Sequence, residues 1–337
     1  MEQNRIAVIG AGSWGTALAI LLGAKGYPVT LWGHREEHVA AINRCRENTD
    51  YLPGFRLPET IRVTADLGEA VRNQQIILMV VPSHVSRVVL KQLTPLLAQG
   101  AYLISASKGI ENDTLMTMTQ VMEDVLPVAF HQRLAILSGP SFAREVAGRV
   151  PTAVTIAAKL RENAAFLQER LSGDRFRVYA STDIRGLELG GALKNIVAIA
   201  AGICDGLGYG TNTRAALITR GLAEITRLGV KMGAKPLTFS GLAGLGDLVL
   251  TCTGDLSRNR MVGLKLGQGK QLDEILKEMK MVAEGVKTTR SAMELARRQG
   301  VEMPILEQVY EVLYNNKQAS EAVKDLLARD LKEELEY

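Results

Sequence analysis

The chain has 337 residues, of which 47% are hydrophobic and 23% are charged, and its formal net charge is +4. This is the composition of an ordinary globular protein, long enough for two domains with sizeable cores, and it excludes a largely disordered chain. The basic residues form no dense run or stripe, so the charge does not indicate a nucleic-acid-binding protein. A small positive balance suits an anionic small molecule, although only weakly.

Cysteine usage argues against both a zinc site and a disulfide framework. Cys45, Cys204 and Cys252 are far apart and form no CxxC pair, so we expect free thiols in a reducing compartment and no metal. The N-terminus runs straight into an apolar strand and has no secretory signal pattern. We also expect no apolar run of the ~18 residues needed to span a bilayer. The sequence therefore predicts a cytoplasmic protein without integral membrane association.

Strand-like and amphipathic segments alternate through about the first 180 residues. Several of the strand-like runs are nearly continuous in Val, Ile and Leu, which is typical of a parallel sheet covered on both faces. The alternation predicts a doubly wound α/β domain. The eight predicted strands are 5–10, 28–34, 60–66, 75–82, 101–109, 134–140, 152–158 and 176–182.

Strand signals fade beyond these runs, and long helical segments follow. We therefore place a domain boundary near residues 181–187. The predicted fold is α/β: residues 1–182 form an N-terminal Rossmann-type doubly wound sheet, and residues 183–337 form a C-terminal all-helical domain. The longest predicted helices are 183–208, 212–233, 272–286 and 309–337.

The first predicted strand leads into a glycine motif with GxGxxG spacing, formed by Gly10, Gly12 and Gly15. Gly10 permits a tight turn, Gly12 lets a pyrophosphate approach the backbone, and Gly15 lets the next helix pack against the strand. The free N–H groups at the helix N-terminus then face the anion. A bare glycine turn is the alternative, but the strand–turn–helix context favours a dinucleotide-binding site.

The end of the second strand bears on the choice between NAD and NADP. An NAD-specific site usually carries an acid there for the ribose 2′-OH, whereas this chain has His34 and Arg35. Both suit a 2′-phosphate, which favours NADP, although Glu36 and Glu37 follow at once and leave NAD open. His34 and Arg35 could also simply open the next helix. The Pro- and Gly-rich loop 49–59 is a further candidate for the neighbourhood of the cofactor, although nothing in its sequence requires this.

Lys194 lies in an apolar predicted helix, and no acid stands three or four positions away from it. Its helical neighbours include Gly190, Gly191 and Ala198, and such small residues suggest that something approaches this face closely. Partial desolvation would suit the amine to proton transfer. A lysine whose amine reaches water by extending along the helix is an equally compatible interpretation.

The segment 241–260 predicts two further helix starts, with Asp247 as the cap of the first. Ser257 opens the second, so that Arg258 and Asn259 lie in its first turn. Free N–H groups, a hydroxyl, an amide and a guanidinium would converge there, which predicts a phosphate or carboxylate site. A plain capped helix with a solvated arginine is the alternative. Lys108 follows a strand end, where ligands bind in such folds, although a lone loop lysine is usually a surface residue.

Six segments, in this order along the chain, resemble a known family: GAGSWGTALA, SASKGIE, LSGPSFA, GALKNIVAI, GLAGLGDL and TGDLSRNR. They are similar to the bacterial NAD(P)-dependent glycerol-3-phosphate dehydrogenases, over about residues 5–290. Related two-domain dehydrogenases share the glycine motif but do not combine GALKN with SRNR. The resemblance implies interconversion of sn-glycerol 3-phosphate and dihydroxyacetone phosphate, which supplies the glycerol backbone of phospholipids.

The resemblance also implies roles for individual residues. Lys194 is the implied catalytic proton donor and acceptor, and Asn195, Asp247 and Thr251 help to orient it and the substrate. The other implied substrate contacts are Lys108, Gly139, Ser141, Arg258 and Asn259, with Ser257 beside them. Beyond the glycine motif, the implied cofactor contacts are Ser13, Trp14, His34, Lys108, Ala143, Arg258, Val282 and Glu284. Arg35 as a ligand of the 2′-phosphate is an inference from this sequence and not part of the resemblance.

We therefore expect NADP or NAD as cofactor, a phosphorylated triose as substrate and a homodimeric assembly. A hydroxy-acid dehydrogenase with a helical second domain is the alternative enzyme, because a carboxylate could also use the Ser257 helix. A cofactor-sensing protein without turnover is the alternative from another class. The absence of a local partner for Lys194 argues against that sensor.

Overall fold

The computed structural model describes residues 5–279, 282–331 and 333–334. The chain forms two compact units. The sheet unit comprises Met1–Lys108 and Met116–Ile184, and the helical unit comprises Gly109–Leu115 and Arg185–Tyr337. The fold class predicted from the sequence is confirmed, since the first unit carries a mostly parallel sheet with helices and the second is helical.

The sheet unit contains one eight-stranded sheet in the order β3-β2-β1-β4-β5-β6-β7-β8. All eight predicted strands are present, and the first six follow the strand order of dinucleotide-binding folds. The strands are β1 (Ile6–Ile9), β2 (Val29–Trp32), β3 (Ile61–Thr64), β4 (Ile76–Met79), β5 (Tyr102–Ser105), β6 (Leu134–Ser138), β7 (Thr152–Ala158) and β8 (Phe176–Ser181). The helices are α1 (Ser13–Ala24), α2 (Glu36–Cys45), α3 (Leu67–Val71), α4 (Ser83–Leu93), α5 (Met118–Val125), α6 (Ala143–Ala147) and α7 (Arg161–Leu171).

The near-continuous apolar strands are explained by burial on both faces. In β1, Ile6 and Val8 belong to one hydrophobic cluster, whereas Ala7 and Ile9 belong to another. Successive side chains of a strand point to opposite faces, so each strand needs apolar residues at every position. Because β1, β4 and β5 pair in parallel, their carboxyl ends meet at one edge of the sheet.

One pairing differs from the parallel sheet that the apolar runs predict, because β7 runs antiparallel to β6. Between them the chain forms only α6, a five-residue helix of Ala143–Ala147. A helix of this length advances about 8 Å, at 1.5 Å per residue. Strands β6 and β7 are about 17–23 Å long. A helix as short as α6 therefore cannot return the chain to the edge where a parallel strand would start.

The helical unit is organised around α8 (Ile184–Gly206), whose side chains are buried from Gly186 to Cys204. Its other helices are α9 (Thr211–Lys231), α10 (Pro236–Phe239), α11 (Asp247–Thr253), α12 (Arg258–Gly267), α13 (Leu272–Glu278), α14 (Glu284–Gln299), α15 (Pro304–Tyr314) and α16 (Ala319–Leu327). A short π-helical turn, Leu242–Gly246, precedes α11.

Three expectations about this unit were wrong: the absence of a long apolar run and the continuity of two predicted helices. Helix α8 contains an apolar window long enough to cross a membrane, and the whole window is buried inside the protein. The segments Pro236–Thr253 and Arg258–Gly267, which are bent relative to each other, are also long and apolar enough when they are counted as one span. The predicted helix 272–286 is instead two helices, α13 and α14, and residues 280–281 of that prediction lie outside the described residues.

The predicted helix 309–337 is also interrupted, between α15 and α16. Asn316 has a φ of 54°, a left-handed conformation that ends α15. The last part of that prediction, residue 332 and residues 335–337, lies outside the described residues.

The three cysteines are free thiols, as expected. Burial raises the pKa of Cys204 to about 11 and that of Cys252 to about 12. Both thiols therefore stay protonated and unreactive at neutral pH, whereas Cys45 is exposed at the end of α2.

A buried glutamate makes the stability of the helical unit depend on pH. Glu224 accepts hydrogen bonds from the backbone N–H groups of Ile305 (2.8 Å) and Leu306 (3.3 Å), at the start of α15. Burial raises the pKa of Glu224 from 4.5 to about 7, although these two bonds and nearby arginines oppose the rise. Because the folded state holds the proton more tightly, this contribution is full below pH 4.5 and is lost as the pH rises through about 7.

We therefore predict that Glu224→Gln flattens the pH dependence of stability. Between pH 5 and 7.5 the wild type should lose roughly 2 kcal/mol of unfolding free energy relative to the variant, at about 1.4 kcal/mol per pKa unit. Urea unfolding at both pH values measures the difference. Glu307→Gln, on the exposed first turn of α15, is the control and should run parallel to the wild type. Parallel curves for Glu224→Gln would contradict the prediction.

Candidate active site

The glycine motif forms the turn between β1 and α1. Gly10 has a φ of 124°, and a Cβ there would lie 2.7 Å from the Val80 carbonyl oxygen. A Cβ on Gly15 would collide with the carbonyl oxygen of Gly10. These two glycines are therefore required by the fold itself. At Gly12 a Cβ would have none of the described atoms within 4 Å, so this glycine faces open space.

The start of α1 fits the pyrophosphate of a dinucleotide. Gly12 is the N-cap residue, and among the described side chains none caps the helix, so its first N–H groups remain available. The indole Nε1 of Trp14 is buried without a hydrogen-bond partner in the described part of the chain. An orphaned buried donor beside an uncapped helix start is the pattern expected where a ligand completes the hydrogen bonding.

The end of β2 carries no acid at the strand terminus. His34 and Arg35 are both exposed, and Arg35 is the N-cap of α2 and donates to the Tyr51 hydroxyl at 2.9 Å. Glu36 and Glu37 lie in the first turn of α2, exposed, where they interact favourably with the helix dipole.

Three of the predicted substrate contacts meet at the carboxyl ends of β5 and β6. The Lys108 Nζ donates to the Gly139 carbonyl oxygen at 3.3 Å, and the Ser141 hydroxyl donates to the same oxygen at 3.0 Å. Gly139 has a φ of 148°, and a Cβ there would be 2.9 Å from the Cα of Val154. Lys108 is half-buried and bonded, so it is not an ordinary surface lysine. Ala143 follows as the first residue of α6.

Lys194 is buried at 5% exposure, and its partners come from distant parts of the sequence. The ammonium donates to Asp247 Oδ1 and to the Thr251 hydroxyl, both at 2.6 Å. Asp247 is 1% exposed. The Thr251 hydroxyl also donates to the backbone carbonyl oxygen of Asp247 at 2.6 Å. The interpretation that Lys194 reaches water is therefore wrong. Helical spacing could reveal that no local acid exists, whereas the association of Asp247 with Lys194 came only from the family resemblance.

The small residues around Lys194 admit a neighbouring part of the chain itself. A Cβ on Gly190 would lie 2.6 Å from the carbonyl oxygen of Ala243, in the π-helical turn. This close approach delivers Asp247 to Lys194. The prediction that Asp247 caps its helix is wrong, because Gly246 is the N-cap residue and already has helical φ and ψ. The π-helical turn runs directly into α11, so the Asp247 carboxylate is directed to the ammonium instead.

Ser257 is the N-cap of α12, as predicted, and its hydroxyl accepts from the Arg260 N–H at 3.2 Å. Arg258 donates from Nη1 to the Val282 carbonyl oxygen at 2.9 Å. Asn259 is buried and accepts at Oδ1 from the Gly285 N–H at 2.9 Å. The first turn of α12 is thus joined to the start of α14.

One further predicted residue lies at this junction of α12 and α14. Glu284 is the first residue of α14. A Cβ on Gly285 would lie 2.9 Å from the backbone carbonyl oxygen of Asn195, so the start of α14 packs directly on α8 next to Lys194.

Sequence reasoning missed Asp205, which holds α12 in place. Its buried carboxylate accepts from Arg260 Nε at 2.8 Å and from Arg214 Nη2 at 2.5 Å. Beside it, a Cβ on Gly202 or on Gly263 would collide with the backbone of the opposite helix. The four-residue spacing of Gly202 and Gly206 on α8, repeated by Gly263 and Gly267 on α12, was the available signal for this close packing.

The chain is similar to known proteins over nearly its whole length. The models for the N-terminus and the C-terminus of NAD-dependent glycerol-3-phosphate dehydrogenase match residues 5–164 and 183–324. Proteins named glycerol-3-phosphate dehydrogenase [NAD(P)+] from Citrifermentans bemidjiense and Geobacter sp. strain M21 are 60% and 59% identical over 331 residues, which is 98% of this chain and 99% of each relative. A crystal structure of glycerol-3-phosphate dehydrogenase from Coxiella burnetii is 42% identical, with a TM-score of 0.92, over 97% of this chain and 99% of that one.

The resemblance inferred from six short segments is thereby confirmed. Two family models cover the two halves of the chain in order, and the identity extends over nearly its whole length. The chain belongs to the NAD-dependent glycerol-3-phosphate dehydrogenase family.

Proposed function

We propose that this protein is an NAD(P)-dependent glycerol-3-phosphate dehydrogenase that interconverts sn-glycerol 3-phosphate and dihydroxyacetone phosphate and supplies the former for phospholipid synthesis. The observation that carries the proposal is the buried group of Lys194, Asp247 and Thr251, built on the same helical unit as the first turn of α12. The first provides a proton at a fixed position, and the second provides donors for an anion. Relatives of that name at 60% identity support the choice of substrate.

The cofactor, when bound, supplies or accepts the hydride at the carbon of the substrate that changes oxidation state. The turn of Gly10, Gly12 and Gly15 would hold its pyrophosphate at the start of α1. The orphaned indole N–H of Trp14 and the open face of Gly12 support this assignment. The remaining proposed cofactor contacts are Ser13, His34, Arg35, Lys108, Ala143, Arg258, Val282 and Glu284.

Lys194 is the proposed general acid and base. Its ammonium donates a proton to the C2 oxygen of dihydroxyacetone phosphate as that oxygen gains negative charge, and the amine takes the proton back in the reverse direction. Asp247 and Thr251 hold the amine in one orientation, because each accepts one of its three N–H groups. Asn195, the next residue on α8, is a proposed substrate contact.

The proposed phosphate site is the first turn of α12. The guanidinium of Arg258, the amide of Asn259 and the N–H groups next to Ser257 supply charge and hydrogen bonds of the kind that phosphate needs. Lys108, Gly139 and Ser141 are the proposed substrate contacts of the sheet unit, where their mutual hydrogen bonds give them a fixed arrangement.

The assembly, the domain bounds and the location are also proposals. We propose residues 1–182 as the NAD(P)-binding domain and 183–337 as the substrate domain of a cytoplasmic homodimer. Large apolar side chains are exposed near one another in sequence, including Leu237 (84%), Val249 and Leu256, which supports a protein interface. The three free thiols support a reducing compartment.

A spectrophotometric assay tests the function directly. The protein should oxidise NADPH or NADH with dihydroxyacetone phosphate and should be much slower with 2- and 3-oxo acids. Faster turnover of an oxo acid would replace the proposal with a hydroxy-acid dehydrogenase. No turnover with either class would leave a cofactor-binding protein.

We predict that Lys194→Ala lowers kcat by roughly 10²–10⁴-fold, because the general acid is lost. Binding of NADPH, followed by its fluorescence, should remain close to that of the wild type. Thr251→Ser keeps the hydroxyl that Lys194 uses and serves as the control, with kcat within a few-fold of the wild type. A near-normal kcat for Lys194→Ala would refute its assignment.

We predict that Arg258→Ala weakens capture of the phosphorylated substrate. Its kcat/KM should fall by an amount equivalent to about 1.5–3 kcal/mol, the value of a hydrogen bond to a charged group. Unphosphorylated dihydroxyacetone should be a poor substrate that is barely affected. Arg298→Ala, which breaks a surface ion pair on α14, is the control. With the cofactor saturating, equal losses with both substrates would mean that Arg258 does not bind the phosphate.

We predict that NADPH is used at least as well as NADH, because imidazole and guanidinium at the end of β2 can donate to a 2′-phosphate. The double variant His34→Asp, Arg35→Ala should shift the ratio of kcat/KM values towards NADH. The measurement compares both cofactors in both proteins. A wild type that prefers NADH by about tenfold, or ~1.4 kcal/mol, would contradict the prediction, as would an unchanged ratio in the variant.

A further inference from the structure

Asn48 lies in the segment between α2 and β3, and its fully buried side chain contacts three separate parts of the sheet unit. Its Nδ2 donates to the Ala11 carbonyl oxygen at 3.0 Å and to the Thr16 hydroxyl at 2.8 Å. Its Oδ1 lies 3.0 Å from His38 Nε2 and accepts from the Tyr51 N–H at 3.2 Å. All four hydrogen-bonding positions of the amide are therefore used.

These contacts leave the amide one orientation. A backbone carbonyl such as that of Ala11 only accepts, and a backbone N–H such as that of Tyr51 only donates, so Nδ2 faces the glycine turn and Oδ1 faces Tyr51. Since Oδ1 also faces His38, the proton of that imidazole must be on Nε2. Asn48 thus links the dinucleotide turn to α2 and to its own loop.

The bond to Ala11 fixes a peptide group in the middle of the glycine motif. The carbonyl of Ala11 and the N–H of Gly12 belong to one planar trans peptide, in which they point in opposite directions. By holding the carbonyl, Asn48 directs the Gly12 N–H away from itself. That N–H has no acceptor among the described residues, and Gly12 faces open space. The second bond, to Thr16, anchors the same amide to the first turn of α1.

We infer that Asn48 is a positioning residue for cofactor binding: it sets the orientation of the 11–12 peptide so that the Gly12 N–H is presented to the pyrophosphate before NAD(P)H arrives. This inference rests on the NAD(P)-binding role of the turn. Asn48 itself is buried beneath the turn and contacts it through Ala11 and Thr16. Its contribution is therefore to affinity for the dinucleotide and not to the proton transfer at Lys194.

The test compares two substitutions at Asn48 with the same two at Asn43, a control of the same residue type on the exposed surface of α2. Asn43 lies on α2 in the same unit and also donates from its amide to a backbone carbonyl, that of Val63 at 3.1 Å, without touching the turn. Asn48→Asp and Asn48→Leu both remove the donor to Ala11, but only the first adds a negative charge. The readouts are the Kd of NADPH by fluorescence titration, the melting temperature without cofactor, and kcat at saturating NADPH.

Both Asn48 variants should raise the Kd of NADPH at least tenfold, or about 1.4 kcal/mol, while kcat at saturation stays within about threefold of the wild type. Both Asn43 variants should leave Kd within about twofold. A lower melting temperature with an unchanged Kd would reduce Asn48 to a purely structural residue and overturn the inference. A raised Kd in Asn48→Asp alone would also overturn it, because charge repulsion would then be the cause.

A milder variant covers the case in which the Asn48 variants do not fold. Thr16→Val removes one acceptor of the amide and keeps the shape of the side chain, and it should raise the Kd of NADPH at least threefold. An unchanged Kd in this variant would overturn the inference. Failure of the wild type to bind NADPH or NADH would instead contradict the proposed function, so the two failures are distinguishable.

Discussion

The backbone of α8 approaches its neighbours so closely that a side chain is excluded at several of the contact positions. At Gly190 the π-helical turn fills the place of a Cβ, and at Gly202 the backbone of α12 does so. Gly285 on α14 is in turn too close to Asn195 for a Cβ. The candidate catalytic amine, its carboxylate partner and the first turn of α12 are therefore located relative to one helix by main-chain contacts. Such contacts permit little adjustment, because protein interiors are close-packed.

The two units position polar groups by different means. In the helical unit a charged pair, Lys194 and Asp247, is buried together, and a buried pair is tolerated only when its hydrogen bonds are satisfied. Thr251 meets part of that requirement by bonding to both. In the sheet unit the equivalent element is the neutral amide of Asn48, which holds the glycine turn with no charge to desolvate. An uncharged support suits a site for an anionic cofactor, because a nearby carboxylate would repel it.

The sequence allowed the eight strands, the glycine turn and the Ser257 cap to be predicted, because each depends on local pattern: continuous apolar runs, motif spacing and cap chemistry. Local pattern did not allow the partner of Lys194 to be predicted, since Asp247 is 53 residues away and is brought near by the packing at Gly190. Asn48 and Asp205 were missed for the same reason. Only the family resemblance associated Asp247 and Thr251 with Lys194. The reversal of β7 and the breaks after α13 and α15 depend on connection length and local backbone conformation, which the apolar periodicity does not record.

The glycines of α8 also have a consequence for how the helical unit folds. Five of its 23 residues are glycine, at positions 186, 190, 191, 202 and 206. Each costs roughly 0.8–1 kcal/mol of helix propensity relative to alanine, so α8 has little tendency to form alone. It becomes favourable only when α11, α12 and α14 dock on it. The central helix should therefore form late and together with its neighbours, which makes the unit that carries Lys194 a single cooperative unit of folding.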